Sequence, residues 1–266
     1  MTRFLRRTLA SALMLGSLFA LPAAYATQHA AQSASSAGLQ GKNVVLVHGA
    51  FADGSSWDKV IALLQARGLH VVAVQNPLDS LAGDVAATKR VIDAQQGPVV
   101  LVGHSWAGVV VSEAGNDDKV KALVYVAAFA PDNGQSISDI TKGLPPPVWA
   151  DQLKKDSAGY LTLSTQGVID DFAQDLPLAQ RKLIAATQAP WFAGCIDEKV
   201  TQAAWHDKPS LFVIPQQDRM IDPQLQARMA AHIGAQVTKV NASHVALVSQ
   251  PQAVADAIIE AARKAQ

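Results

Sequence analysis

The stretch LVGHSWAGVV, Leu101 to Val110, sets Ser105 between Gly103-His104 and Trp106-Ala107, directly after an apolar run and directly before a helical pattern. A serine on such a strand-to-helix turn, in the arrangement G-x-S-x-G, presents its hydroxyl as a nucleophile. Ala107 stands where the last glycine of that pattern falls, so the motif alone leaves two readings: a nucleophile, or a serine that ends a strand. The position demands smallness more than positive φ, because helix and sheet crowd Gly103, Ala107 and Gly108. A serine hydroxyl is a poor nucleophile unless a neutral imidazole takes its proton, a carboxylate orients that imidazole, and backbone N–H groups receive the developing oxyanion.

Each of those parts has a candidate. Of the seven histidines, only His244, in VNASHVALVSQP, follows a late strand and precedes the last helix. Asp218, in FVIPQQDRMIDP, lies on the preceding strand-to-helix loop, and Asp222 four residues on reads as the cap of the next helix. Asp132 is the competing acid, after the strand that ends near Val126. The chain order Ser, Asp, His favours Asp218. In VHGAFADG the turn His48-Gly49 offers the Ala50 amide as one oxyanion donor, with the Trp106 amide as the other. Phe51 and His104 are candidate pocket residues. Four parts in this order read Ser105 as a nucleophile.

The elements that must position these residues alternate. The short β-branched run Val44 to Val47 reads as a strand buried on both faces, and His70 to Val74, Val99 to Val102 and Ala122 to Val126 read as further strands. Helical spacing follows in SSWDKVIALLQARG, with a serine as N-cap and Gly68 as stop, then over Leu81 to Ala94 and Trp106 to Ala114. The rhythm fails after Pro131 and returns with strand Leu211 to Ile214, helix Pro223 to His232, strand Gln236 to Val240 and a last helix Pro251 to Lys264. Such alternation predicts an α/β fold: a doubly wound, mostly parallel sheet. The proline-punctuated stretch from about 131 to 208 reads as a helical cap inserted into one domain spanning 43–266, with helical patterns at Ile169 to Leu176 and Leu178 to Ala186. The cap aromatics Trp149, Tyr160, Phe172, Trp191 and Phe192 suggest an apolar pocket.

Arg3, Arg6 and Arg7, an apolar run from Leu9 to Leu21 broken by Pro22, and Ala24-Tyr25-Ala26 together read as a signal peptide over 1–26. The run is short of the roughly 20 residues that a membrane span needs. The expectation is a periplasmic or secreted protein without a stable membrane anchor after cleavage; Arg6-Arg7 is a loose match to a twin-arginine signal. Residues 27–42, rich in Ala, Ser, Gln and Gly, read as a flexible mature N-terminus. Cleavage turns 22 basic and 22 acidic residues into 19 against 22, and no basic patch marks a nucleic-acid partner. Cys195 is the only cysteine, so no internal disulfide can form, and its context gives it no nucleophile's turn. Neither a phosphate-cradling glycine loop nor metal-ligand spacing is present, so no metal or organic cofactor is implied.

In order and over nearly all of the mature chain, VVLVHGAFADGSSW, LVGHSWAGVV, VYVAAFAPD, QDRMIDPQLQARM and ASHVALVSQPQAV resemble the α/β-hydrolase superfamily. The resemblance is greatest to the branch of plant methylesterases and hydroxynitrile lyases and to small bacterial esterases. It implies Ser105 as nucleophile, His244 as base, Asp218 as acid, the Ala50 and Trp106 amides as oxyanion hole, and a small-molecule ester as substrate. Perhydrolase, lactonase and cyanohydrin lyase chemistry are the enzymatic alternatives, and a ligand receptor is the non-enzymatic one. In the cyanohydrin-cleaving relatives a lysine follows the catalytic histidine; here that position is Val245.

Overall fold

In the computed structural model, Leu39 and residues 42–265 are described; the expected signal peptide and most of the expected flexible segment lie outside them. Six parallel strands form the sheet: β1 (Asn43–Val47), β2 (His70–Val74), β3 (Val99–His104), β4 (Val120–Val126), β8 (Ser210–Pro215) and β9 (Gln236–Val240), in the order β2-β1-β3-β4-β8-β9. Every residue of β1, β3 and β8 is buried, which explains why they read as continuous apolar runs rather than alternating ones. The strand order reverses between β1 and β3, and the register pairs Val47 with Gly103. The loops that leave those two strands therefore emerge side by side at the carboxyl edge, where open parallel sheets hold their ligands.

Local chemistry sets the element ends. Ser80 caps the helix Leu81–Asp93 by accepting from the Gly83 amide, and Asp222 caps Pro223–His232 through the Gln224 amide. The turn that opens the first helix, Asp58–Gln65, is capped by Asp53 and not by a serine. Packing also starts before Asn43. Leu39 is buried in the core, and the Lys42 ammonium donates to the carbonyls of Ala262 and Ala265 at the end of the helix Pro251–Lys264.

Between β4 and β8 the chain builds a cap that is not purely helical. Three short antiparallel strands, β5 (Leu153–Lys155), β6 (Tyr160–Leu163) and β7 (Trp191–Phe192), pair in sequence order. The β5–β6 turn closes because the Asp156 carboxylate accepts from the Ala158 and Tyr160 amides and Gly159 takes φ +92°. The helix Leu178–Thr187 forms as expected, but the pattern at Ile169 to Leu176 yields only a π-helical turn, Val168–Phe172. Arg181 holds this segment by donating to the Ile169 and Leu176 carbonyls, so side-chain bonds from the neighbouring helix satisfy part of its backbone.

Candidate active site

Ser105 directly follows β3 and precedes the helix Ala107–Ala114, with its backbone at φ +56°. A non-glycine residue in that region is strained, and the surroundings hold it there. The Ser105 amide donates to the Val126 carbonyl, and the Ser105 carbonyl accepts from the Gly108 and Phe129 amides. Crowding accounts for the glycine two residues before it. A Cβ on Gly103 would lie 2.5 Å from the Ala107 carbonyl oxygen. Ala107 itself is fully buried and does not have positive φ, so its methyl group is tolerated where the motif has glycine.

Side chains from two loops form a relay to the hydroxyl. His244, after β9, places Nε2 2.8 Å from Ser105 Oγ, and its Nδ1–H donates to Asp218 Oδ2 at 2.9 Å. Asp218, after β8, is anchored on both oxygens. Oδ1 accepts from the Met220 and Ile221 amides at 2.8 and 3.0 Å, and Oδ2 also accepts from the Gln226 side chain at 2.7 Å. All of these groups are buried, and Ser105 is 9% exposed. Asp132 lies elsewhere: its two oxygens accept from His206 and His232 at 2.8 and 2.9 Å. Burial alone would raise that carboxyl, but the two imidazoles hold it down to about 2.

The loop after β1 lies directly against the serine. A Cβ on Gly49 would fall 2.7 Å from Ser105 Cβ, a space that only glycine leaves open, and the next residue is Ala50. His48 braces this loop, its Nδ1–H donating to the Gly49 carbonyl while Nε2 accepts from the Asn76 amide. Burial lowers the His48 pKa and keeps the ring neutral in that role. Among the described residues, neither the Ala50 nor the Trp106 amide donates to a protein acceptor.

His104 and Phe51 border a cavity of about 210 Å³ beside the triad, lined further by Phe172, Ile184 and Val245 and, on its polar side, by Asp53, Ser56 and Lys59; neither Ser105 nor His244 lines it. His104 also has a structural part: its Nε2–H donates to the His244 carbonyl at 3.1 Å. Burial, and then the neighbouring His244, press its pKa well down, so it stays neutral. Of the five cap aromatics, Phe172 lines the cavity and packs its ring 5.2 Å from that of His244. Trp191 packs against Trp106 and Phe51, Tyr160 pairs with Phe192, and Trp149 donates to the Met220 carbonyl. Cys195 is buried and its thiol is pushed up to about 12 by burial and by Glu198 and Asp84, which leaves it protonated.

Two polar residues at the site were not singled out by motif. Gln226 braces Asp218, and Asp84 accepts from the Trp106 indole at 2.7 Å. Their signal is a polar side chain on an otherwise apolar helix face: Asp84 lies beside Leu81, Val85 and Thr88, and Gln226 beside Leu225 and Met229.

The sequence profile of the alpha/beta hydrolase family matches residues 44–257. A probable hydrolase, R7, from a Phoma species is 26% identical over 82% of this chain and 97% of its own length. Methylesterase 2 of Arabidopsis thaliana is 33% identical over 36% of this chain and 43% of its own. An extracellular alpha/beta-hydrolase from a Paenibacillus species, with 21% identity, superposes with a TM-score of 0.71 over 82% of this chain and 98% of that one. With the parallel sheet, the strained serine after β3 and the profile match over most of its length, this chain belongs to the alpha/beta hydrolase family.

Proposed function

We propose that this enzyme hydrolyses carboxylic esters of small apolar molecules through an acyl-enzyme on Ser105. The observation that carries the reading is the unbroken chain Asp218, His244, Ser105, with 2.9 and 2.8 Å links inside a buried site. His244 Nε2 takes the hydroxyl proton as Oγ attacks the ester carbonyl, and the tetrahedral oxyanion accepts from the Ala50 and Trp106 amides. Collapse expels the alcohol with the proton from His244. Water then repeats the sequence on the acyl-enzyme, regenerating Ser105. Asp218 stays ionised throughout, fixing the tautomer and facing the imidazolium as it forms. The chemistry calls for neither metal nor organic cofactor.

Val245 is 3% exposed and lines the cavity next to His244. A neutral aliphatic side chain there suits an ester's alcohol portion and offers nothing to a departing cyanide, which favours hydrolysis over cyanohydrin cleavage. The N-terminal residues 1–26 support export to the periplasm or the medium. A panel of p-nitrophenyl and methyl esters of varied acyl length, assayed beside Ser105→Ala, tests the reading: turnover that requires Ser105 is expected, and a panel with no Ser105-dependent hydrolysis contradicts it.

A further inference from the structure

Asp84 is a fully buried carboxylate that the proposed chemistry does not use. It sits in the first turn of the helix Leu81–Asp93, and its two oxygens take two donors at once. Oδ2 accepts from the Trp106 indole N–H at 2.7 Å, and Oδ1 accepts from the Leu78 amide at 2.8 Å. Leu78 is held at φ +59°, and its carbonyl accepts from the Phe192 amide of the cap strand β7. Asp84 thus connects the residue after the nucleophile to the seam between sheet and cap.

Among the described residues, no cation bears on this carboxylate. The ionisable groups whose fields bear on Asp84 are the carboxylates of Asp79 and Glu198, and Asp84 in turn bears on the Cys195 thiol. A carboxylate buried among acids is costly to keep, and a plain packing role would be met more cheaply by a neutral side chain. What a carboxylate offers is acceptor oxygens on both sides; an asparagine has one acceptor for two donors. Trp106 is the residue whose backbone amide the proposed mechanism assigns to the oxyanion, and its indole lies between Asp84 and the Trp191 ring 5.4 Å away. An indole anchored on both sides limits displacement of the Trp106 residue as a whole, and oxyanion donors act only within a narrow distance range.

We propose that Asp84 is a positioning residue of the oxyanion site: it grips the Trp106 indole and the Leu78 amide, and so aims the Trp106 amide at the tetrahedral intermediate. The proposal rests on the esterase reading above.

The test compares wild type, Asp84→Asn, Trp106→Phe and the double variant in p-nitrophenyl butyrate hydrolysis and in inhibition by an aryl trifluoromethyl ketone. That ketone forms a tetrahedral oxyanion on the serine. Each single substitution is expected to lower kcat by about 10- to 50-fold while KM changes by less than about 2-fold, with inhibitor affinity falling in parallel. The double variant is expected to be no worse than about 2-fold below the weaker single, since both substitutions break one link. Losses that multiply, an effect on KM alone, or unchanged inhibitor affinity overturn the assignment. If Asp84→Asn does not fold, Trp106→Phe decides the matter: it keeps a six-membered aromatic ring, loses the indole N–H, and must still weaken the inhibitor while KM stays within about 2-fold. Wild-type turnover with unaltered Asp84→Asn overturns Asp84 alone, whereas absence of Ser105-dependent turnover in the wild type removes the esterase reading and this proposal with it.

Discussion

The Gln226 side-chain amide donates to Asp218 Oδ2 at 2.7 Å, and that same oxygen accepts from His244 Nδ1 at 2.9 Å. Gln226 also donates to the Ile221 carbonyl at 2.8 Å, so one buried amide ties the acid to its own loop. Rotation of the carboxylate away from His244 would break both. Gln226→Leu is expected to reduce kcat by about 10-fold, the order of one charge-assisted hydrogen bond, with KM nearly unchanged. Steady-state kinetics on one p-nitrophenyl ester checks this, and unaltered kcat in a folded variant would reduce Gln226 to packing.

The two candidate acids separate by geometry. Asp218 faces His244 inside the core, whereas Asp132 binds His206 and His232 with its side chain 26% exposed. Asp218→Asn should cost on the order of 10²- to 10⁴-fold in turnover, because the imidazole loses the partner that sets its tautomer. Asp132→Asn should cost less than about 3-fold. The reverse ranking in parallel assays would move the acid to the earlier loop.

Asp84 also predicts how stability changes with pH. Burial, reinforced by Asp79 and Glu198 and only partly offset by the Trp106 and Leu78 hydrogen bonds, raises its pKa from 3.8 to about 6. The folded state therefore holds this proton more tightly than the unfolded chain does. The resulting stabilisation is complete below about pH 4 and is lost as pH rises through about 6, by about 3 kcal/mol in all. Urea unfolding of wild type and Asp84→Asn from pH 4 to 8 measures it: wild type should lose that much relative to the variant, and a constant difference would contradict the buried-carboxylate account.

Much of this architecture is written in residue types that act locally. Val44 to Val47 and Val99 to Val102 are strands because β-branched runs suit a sheet buried on both faces, and Ser105, Asp218 and His244 are legible because each lies on the loop that leaves a strand, directly after β3 or a few residues beyond β8 and β9. The cap is less legible. Strands β5, β6 and β7 are three, four and two residues long, too short for alternation to show, and their pairing rests on the Asp156 turn and on contacts distant in sequence. Asp84 and Gln226 act on partners 22 and 8 residues away, and their meaning emerges only when helix faces meet the loops. Asp132 shows the converse. It follows β4 as an acid could, but its loop turns it toward His206 and His232 instead.

Acyl transfer through a covalent bond to Ser105 is tested most directly by mass spectrometry of the quenched enzyme. Wild type mixed with a p-nitrophenyl ester whose acyl group leaves slowly should gain the mass of one acyl group, on the peptide that contains Ser105. Ser105→Ala should fold normally, carry no adduct and lose nearly all turnover. Continued turnover without any adduct, or a Ser105→Ala variant retaining about a tenth of wild-type activity or more, would contradict the acyl-enzyme mechanism.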